Sequence, residues 1–230
     1  MIEAVIFDKD GTLFDFRSSW SGWVERLLAE LAAGPEQTGV LADVLGYDPG
    51  SHQFLPGSPV VAMTTPEIAD LVLPHVAMPI ERLNWIMNRL AMTAPMQPAV
   101  NLGAVLGGLR AMGLTLGLAT NDTEEPARQH LGDAGVLDLF AFVAGCDSGW
   151  GGKPEPGQLL EFARRAGLAP DQVAMVGDSK HDLDAARAAG MRAVAVLTGV
   201  ARRDQLAPHA DVVMADISGL ADWIAVQNRG

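Results

Sequence analysis

The stretch Ala4-Val-Ile-Phe-Asp8-Lys-Asp-Gly-Thr-Leu-Phe-Asp15 decides how the chain is read. Its first four residues form a short, β-branched apolar run that stops at Asp8, the pattern of a buried strand whose C-terminal end carries a carboxylate. Similar runs recur at residues 114–119, 140–144, 173–176 and 193–197. Most are separated by helical patterns, so the sequence predicts an α/β fold built on a doubly wound parallel sheet. The helices are punctuated as expected. Leu102, Val105, Leu106 and Leu109 make one apolar stripe closed by Gly113, and helices over 156–166 and 182–189 end at Gly167 and Gly190. Residues 220–226 read as a closing amphipathic helix.

One block breaks the alternation. Between the first strand and Leu102 no strand pattern appears, and residues 16–92 read as an inserted, all-helical cap domain, leaving 1–15 and 93–230 as the α/β core domain. Trp20, Trp23, Val24, Leu27, Leu28 and Leu31 recur at helical spacing after a Ser18-Ser19 cap. Thr65-Pro66-Glu67 reads as a second helix start, and Leu83, Ile86, Met87 and Leu90 as a third stripe. Residues 51–58 interrupt these helices and read either as a plain connection or as a specificity loop. Trp20 and Trp23 read as packing of the cap's own core.

Composition narrows the class. At 230 residues and 49% hydrophobic content the chain can bury a sizeable core. No basic leader with an apolar run opens it, and no stretch approaches the roughly 18 apolar residues of a membrane span, so a soluble, cytoplasmic protein without membrane partners is expected. Cys146 is the only cysteine, which excludes an intrachain disulfide and fits a reducing compartment. A net charge of −12 argues against nucleic acid as a partner. An acidic protein that receives an anion needs a bound cation and a few placed basic groups. Of the 16 basic residues 13 are arginine, and the lysines, Lys9, Lys153 and Lys180, all stand beside acidic or glycine-rich motifs.

In an open parallel sheet, ligands bind outside the carboxyl ends of the strands where strand order reverses. Those ends hold Asp8-Lys9-Asp10-Gly11-Thr12, Thr120-Asn121-Asp122 and Gly177-Asp178-Ser179, with Asp182 one helical turn on and Lys153 in Gly151-Gly152-Lys153-Pro154. Each residue type answers a need of phosphoryl transfer, in which positioning and charge neutralisation dominate. Asp8 can attack phosphorus, and Asp10 can protonate the leaving alkoxide and then activate water. Gly11 lets the backbone come close to a phosphate. A hard divalent cation suits Asp8 and Asp178 with the Asp10 carbonyl, because magnesium takes few protein oxygens and keeps water ligands. Thr120 and Asn121 can bond a phosphoryl oxygen while Lys153 offsets its charge.

Together these motifs resemble the haloacid dehalogenase superfamily, in particular its phosphoglycolate-phosphatase-like branch with a small helical cap. FDKDGTLFD is similar to that family's first motif, LATND to its second, Lys153 to its third and GDSKHD to its fourth. The resemblance implies a Rossmann-like core and a phosphatase of small phosphorylated metabolites that forms an aspartyl-phosphate. It implies a nucleophile at Asp8, an acid/base at Asp10, and phosphate contacts from Lys153, Thr120, Asn121 and the backbone N–H of Lys9. It also implies Mg2+ held by Asp8, Asp10 and Asp178, with Asp182 and Ser179 supporting the site from behind. The Lys9 side chain is expected to point away, into the crossing to the cap. The superfamily's dehalogenases lack an aspartate at the position of Asp10, and residues 16–92 hold no lysine for a Schiff base, so dehalogenation and phosphonate cleavage are disfavoured. Two alternatives stand beside the phosphatase: a sugar phosphomutase of the β-phosphoglucomutase kind, and a noncatalytic phosphometabolite-binding protein. Both monomer and homodimer are compatible with the sequence.

Overall fold

The computed structural model describes residues 1–55 and 57–229. In chain order its elements are β1 (Ala4–Phe7), α1 (Phe16–Leu31), α2 (Pro35–Leu45), β2 (Tyr47–Asp48), β3 (Gln53–Phe54), α3 (Thr65–Val72), α4 (Ile80–Met92), α5 (Leu102–Ala111) and β4 (Thr115–Ala119). There follow α6 (Glu124–Asp133), β5 (Phe142–Ala144), α7 (Gly157–Ala166), β6 (Val173–Gly177), α8 (Lys180–Ala189), β7 (Arg192–Val196), α9 (Arg203–Leu206), β8 (Val212–Met214) and α10 (Leu220–Gln227). The chain divides into two compact units, Met1–Phe16 with Gln97–Gly230, and Arg17–Met96.

The first unit is built on a six-stranded sheet of order β5-β4-β1-β6-β7-β8, every pair parallel. Chain order runs outward from β1 to β4 and β5, then returns to β6 on the other side of β1, which is the doubly wound arrangement the alternating pattern predicts. The switch point falls at β1, flanked by β4 and β6. Ala4, Val5, Ile6 and Phe7 are all fully buried, as a strand covered on both faces must be. Burying each of the larger side chains contributes roughly 1.5–3 kcal/mol. Helix α7 packs on β4 and β1, and α8 on β6 and β7. Where the chain leaves and re-enters this unit, the Asp15 N–H donates to Gln97 O (2.8 Å) and Phe14 bridges Pro98, so the two crossings run side by side.

Strand β8, absent from the sequence reading, pairs with β7 at the sheet edge. Three residues, each only partly buried, leave too short an apolar run to register as a strand.

The second unit is mainly helical. Trp20 and Trp23 lie in its core, edge to face at 5.3 Å, and Trp23 Nε1 donates to Met87 O (3.2 Å), tying α1 to α4. Two expectations are corrected here. Helix α1 begins at Phe16, so Ser18 and Ser19 lie within its first turn and do not cap it. The unit is also not entirely helical, because β2 and β3 form a two-residue antiparallel hairpin. Its turn is set by Asp48, whose carboxylate accepts from the Gly50 N–H (3.0 Å) and Ser51 Oγ (2.5 Å), and by His52 in the left-handed region. The cap of α3 is Thr64, whose hydroxyl accepts from Glu67 N while Glu67 accepts from the Thr64 N–H. Of residues 51–58, Pro56 lies outside the described residues. Among the described residues, no helix is long and apolar enough to cross a membrane.

Gly117 in β4 lets α7 close on the sheet: a Cβ there would meet the Phe162 ring at 2.7 Å. Overpacking a filled core costs about 1–3 kcal/mol. Gly117→Ala is therefore expected to lower the midpoint of urea unfolding by a corresponding amount, and an unchanged midpoint would contradict the packing described.

Candidate active site

The ends of β1, β4 and β6 face one another because parallel neighbours finish at the same edge of the sheet. Register fixes this: Phe7 is opposite Leu118 and Val176, so the next residues outward are Asp8, Ala119-Thr120 and Gly177-Asp178. The Asp8 N–H is still held by the ladder, donating to Val176 O (2.8 Å). Beyond it the chain turns back on itself, with the N–H groups of Leu13 and Phe14 both donating to Lys9 O and that of Gly11 to Phe14 O. Gly11 has φ +80, and a Cβ there would come within 2.5 Å of the Asp178 carboxylate, so only glycine lets this turn lie against β6.

The centre is a buried ion-pair cluster. Lys153 Nζ donates to Asp8 Oδ1 (2.5 Å) and to Asp182 Oδ1 (2.6 Å). One carboxylate oxygen from each of Asp8, Asp178 and Asp182 lies within 4.8 Å of the others, and all three residues are buried. The other oxygen of Asp182 accepts from the N–H (3.0 Å) and hydroxyl (2.7 Å) of Ser179, the capping box that starts α8. Asp182 thus orients Lys153 while being oriented by its own helix start. Asn121 holds the same lysine by its backbone: Asn121 Nδ2 donates to Lys153 O (2.9 Å) and Asn121 Oδ1 accepts from Lys153 N (2.8 Å). Gln158, fully buried, donates to Thr120 O (3.1 Å) and Gly151 O (2.8 Å), joining the β4 end to the glycine-rich loop. The Lys153–Pro154 peptide is cis.

Electrostatics follow from crowding. Burial pushes the Asp8 carboxyl up to about 7, with Lys153 pulling it down and Asp182 and Asp10 pushing it further up. Burial likewise raises Asp178 well above the usual carboxylate range, reinforced by Asp182 and Asp8. Burial pulls the Lys153 ammonium down, but Asp182 and Asp8 outweigh it and the net direction is up. One buried cation does not balance three buried carboxylates, so the donor set fits a hard divalent cation, with Asp8 and Asp178 as oxygen ligands. Asp182, engaged on both oxygens by Lys153 and Ser179, fits a supporting role.

The structure brings Asp8, Lys153, Asp178, Asp182 and Ser179 together. Thr120 is buried beside them, its hydroxyl accepting from the Asp122 N–H (3.1 Å), and Asn121 clamps Lys153. The Asp10 carboxylate is not in the acidic cluster; it pairs with Lys9, Oδ2 to Nζ 3.2 Å. The Lys9 side chain corrects the expectation that it points away toward the crossing. Its ammonium is fully buried in the first unit, 2.8 Å from Asp122 Oδ2 and 3.0 Å from His130 Nδ1. Acceptors on α6 and at the β4 end draw it inward. Sequence reasoning missed Gly199 and Thr198, which follow β7. A Cβ on Gly199 would sit 1.6 Å from Asp178 Oδ2, and Thr198 Oγ1 donates to Gly11 O (2.6 Å). The available signal was a Thr-Gly pair just past a strand end.

This is a site of clustered carboxylates and a buried ammonium at the switch point of a doubly wound sheet. The sequence profile of haloacid dehalogenase-like hydrolases matches residues 2–190, and the chain belongs to that family. It is 30% identical over 233 residues to the phosphoglycolate phosphatase of Rhodospirillum rubrum, covering all of this chain and 94% of that one. In structure it is similar to a predicted phosphoglycolate phosphatase of Haemophilus somnus (TM-score 0.76, 19% identity, 97% and 98% of the two chains). It is also similar to a β-phosphoglucomutase of Clostridium difficile (TM-score 0.70, 19% identity, 100% and 98%).

Removing the central cation leaves three buried carboxylates facing one another. Breaking a buried pair from one side costs about 3–5 kcal/mol. Lys153→Met is expected to lose stability on that scale in urea unfolding with chelator present, and near-wild-type stability would show the cluster is more hydrated than described.

Proposed function

We propose that this chain is a magnesium-dependent phosphatase that hydrolyses small phosphate monoesters through an aspartyl-phosphate on Asp8. Family membership and whole-chain likeness to a phosphoglycolate phosphatase make it a phosphoric monoester hydrolase acting on a small phosphorylated metabolite. Phosphoglycolate and sugar phosphates are the first candidate substrates. The observation that carries the mechanistic reading is the buried Lys153 ammonium between Asp8 and Asp182, beside Asp178.

In this reading a carboxylate oxygen of Asp8 attacks phosphorus, forming a P–O bond as the bond to the ester oxygen breaks. Asp10, as the acid, gives its proton to the departing alkoxide, which leaves as the alcohol. The resulting Asp10 carboxylate takes a proton from water as the water oxygen attacks phosphorus. The bond to Asp8 then breaks, inorganic phosphate leaves, and both aspartates return to their starting states. Lys153 offsets the charge of the nucleophile and the phosphoryl group, held in place by Asn121 and Asp182. Thr120, Asn121 and the backbone N–H of Lys9 would bond the phosphoryl oxygens. Magnesium held by Asp8, Asp178 and the Asp10 carbonyl would neutralise charge that develops on those oxygens. The unit Arg17–Met96 is taken as the cap domain, the insertion read from the sequence as residues 16–92. A cytoplasmic location accords with the single cysteine.

The reading is tested by phosphate release from a panel of monoesters, including phosphoglycolate, sugar phosphates and nucleoside monophosphates. Turnover should require magnesium, vanish with chelator, return on re-addition, and be undetectable in Asp8→Asn. Turnover surviving Asp8→Asn would overturn the covalent mechanism, and isomerisation of a sugar phosphate without phosphate release would identify a mutase.

A second expectation concerns Asp178. Because any Cβ at position 199 overlaps its carboxylate, Gly199→Ala should displace Asp178 and lower kcat/KM about a hundred-fold, on the scale set by a 1 Å misplacement. Raised magnesium should recover part of the loss, and unaltered kinetics would remove Asp178 from the proposed metal site.

A further inference from the structure

The Lys9 ammonium is the second buried cation of this site, and the reaction as written makes no use of it. A fully buried lysine is tolerated only where its charge and its three protons are met. Here three acceptors converge: Asp122 Oδ2 at 2.8 Å, His130 Nδ1 at 3.0 Å and Asp10 Oδ2 at 3.2 Å. An ammonium that donates to Nδ1 requires the neutral imidazole with its proton on Nε2. His130, itself buried, also packs edge to face on Phe14 at 6.5 Å, and Phe14 closes the same turn by donating its N–H to Lys9 O. Of these partners, His130 is set on α6, and Asp122, in the bend between β4 and α6, is held by its N–H donating to Thr120 Oγ1 (3.1 Å) and its Oδ1 accepting from the Thr123 N–H (2.8 Å). The third is the candidate acid/base, which sits on the turn and is the most exposed of the three, its side chain 16% accessible.

We propose that Lys9 is a positioning residue for Asp10: anchored by Asp122 and His130, its ammonium holds one Asp10 oxygen so that the carboxyl is presented to the leaving group. The inference rests on the acid/base role of Asp10 proposed above. A purely structural lysine would stitch the turn to α6 and serve all substrates alike. A positioning lysine matters where Asp10 must move a proton, which in the steps up to phosphoryl transfer is only the delivery to the leaving group.

Leaving groups separate the two cases. An alkyl phosphate expels a basic alkoxide that must be protonated, whereas p-nitrophenyl phosphate expels a phenolate stable without a proton. The value of kcat/KM reports steps up to phosphoryl transfer to Asp8, so it is compared for p-nitrophenyl phosphate and for the alkyl monoester turned over fastest by the wild type, with magnesium present. Lys9→Met should lower kcat/KM for the alkyl ester roughly ten-fold or more, a modest share of what misplacement of a reacting group costs, and leave p-nitrophenyl phosphate within about three-fold. Since Lys9→Met alone strands the Asp122 carboxylate and risks the fold, Lys9→Met/Asp122→Asn is measured in parallel and should show the same selective loss. Asp10→Asn supplies the reference and should show the larger discrimination. Equal losses for both esters, or none, in the folded Lys9 variants overturn the inference while Asp10→Asn still discriminates. If Asp10→Asn itself fails to discriminate, the acid role of Asp10 falls and the Lys9 inference falls with it.

Discussion

The constraint on which the site depends is the confinement of one carboxylate oxygen from each of Asp8, Asp178 and Asp182 within 4.8 Å of the others, out of water, around one ammonium. Mutual repulsion and lost hydration oppose that arrangement, as the raised pKa of Asp8 and of Asp178 records. It persists because the surrounding fold fixes Asp8, Asp182 and Lys153 by contacts beyond their mutual pairing. Asp8 is at the end of a central strand, its N–H in the ladder. Asp182 is locked by the cap of α8, and Lys153 is held through its backbone by Asn121. The crowded carboxylates are thus held by regular elements around them.

A doubly wound sheet supplies that support economically. Parallel register forces β1, β4 and β6 to finish together, so three turns distant in sequence meet without long loops. The cost is steric, since turns this close leave no room for side chains between them. Gly11 and Gly199 approach the Asp178 carboxylate from two directions, and a methyl at either position would collide with it. Asp178 thus occupies space that the absence of side chains at positions 11 and 199 leaves open, which fits an oxygen kept available to a cation.

How much of this was legible in the sequence follows the range of the interactions. Five of the six strands of the sheet announce themselves as apolar runs, and Asp8, Asp178 and Lys153 stand at their ends or in a glycine-rich loop, so local pattern reaches them. Edge strand β8 and the β2–β3 hairpin are too short to carry a pattern. The start of α1 was misplaced because serines suggest a cap even inside a first turn. The course of Lys9 was not legible at all, since its partners Asp122 and His130 are more than a hundred residues away, and nothing local distinguishes an inward from an outward lysine. Gly199 belongs to the same class, since what matters there is its distance to Asp178, just past the end of another strand.

The two buried lysines divide one problem between them. Each stands among acidic groups at the switch point: Lys153 takes Asp8 and Asp182, and Lys9 takes Asp10 and Asp122. Asp8 and Asp10 are two residues apart on one turn, and in the proposed reaction the first attacks as an anion while the second delivers a proton. Each is paired with a different lysine, one held by Asp182 and Asn121 and the other by Asp122 and His130, so the two carboxyl groups are fixed by separate sets of contacts. That separation lets two nearby residues of the same chemical type take different parts in the proposed reaction.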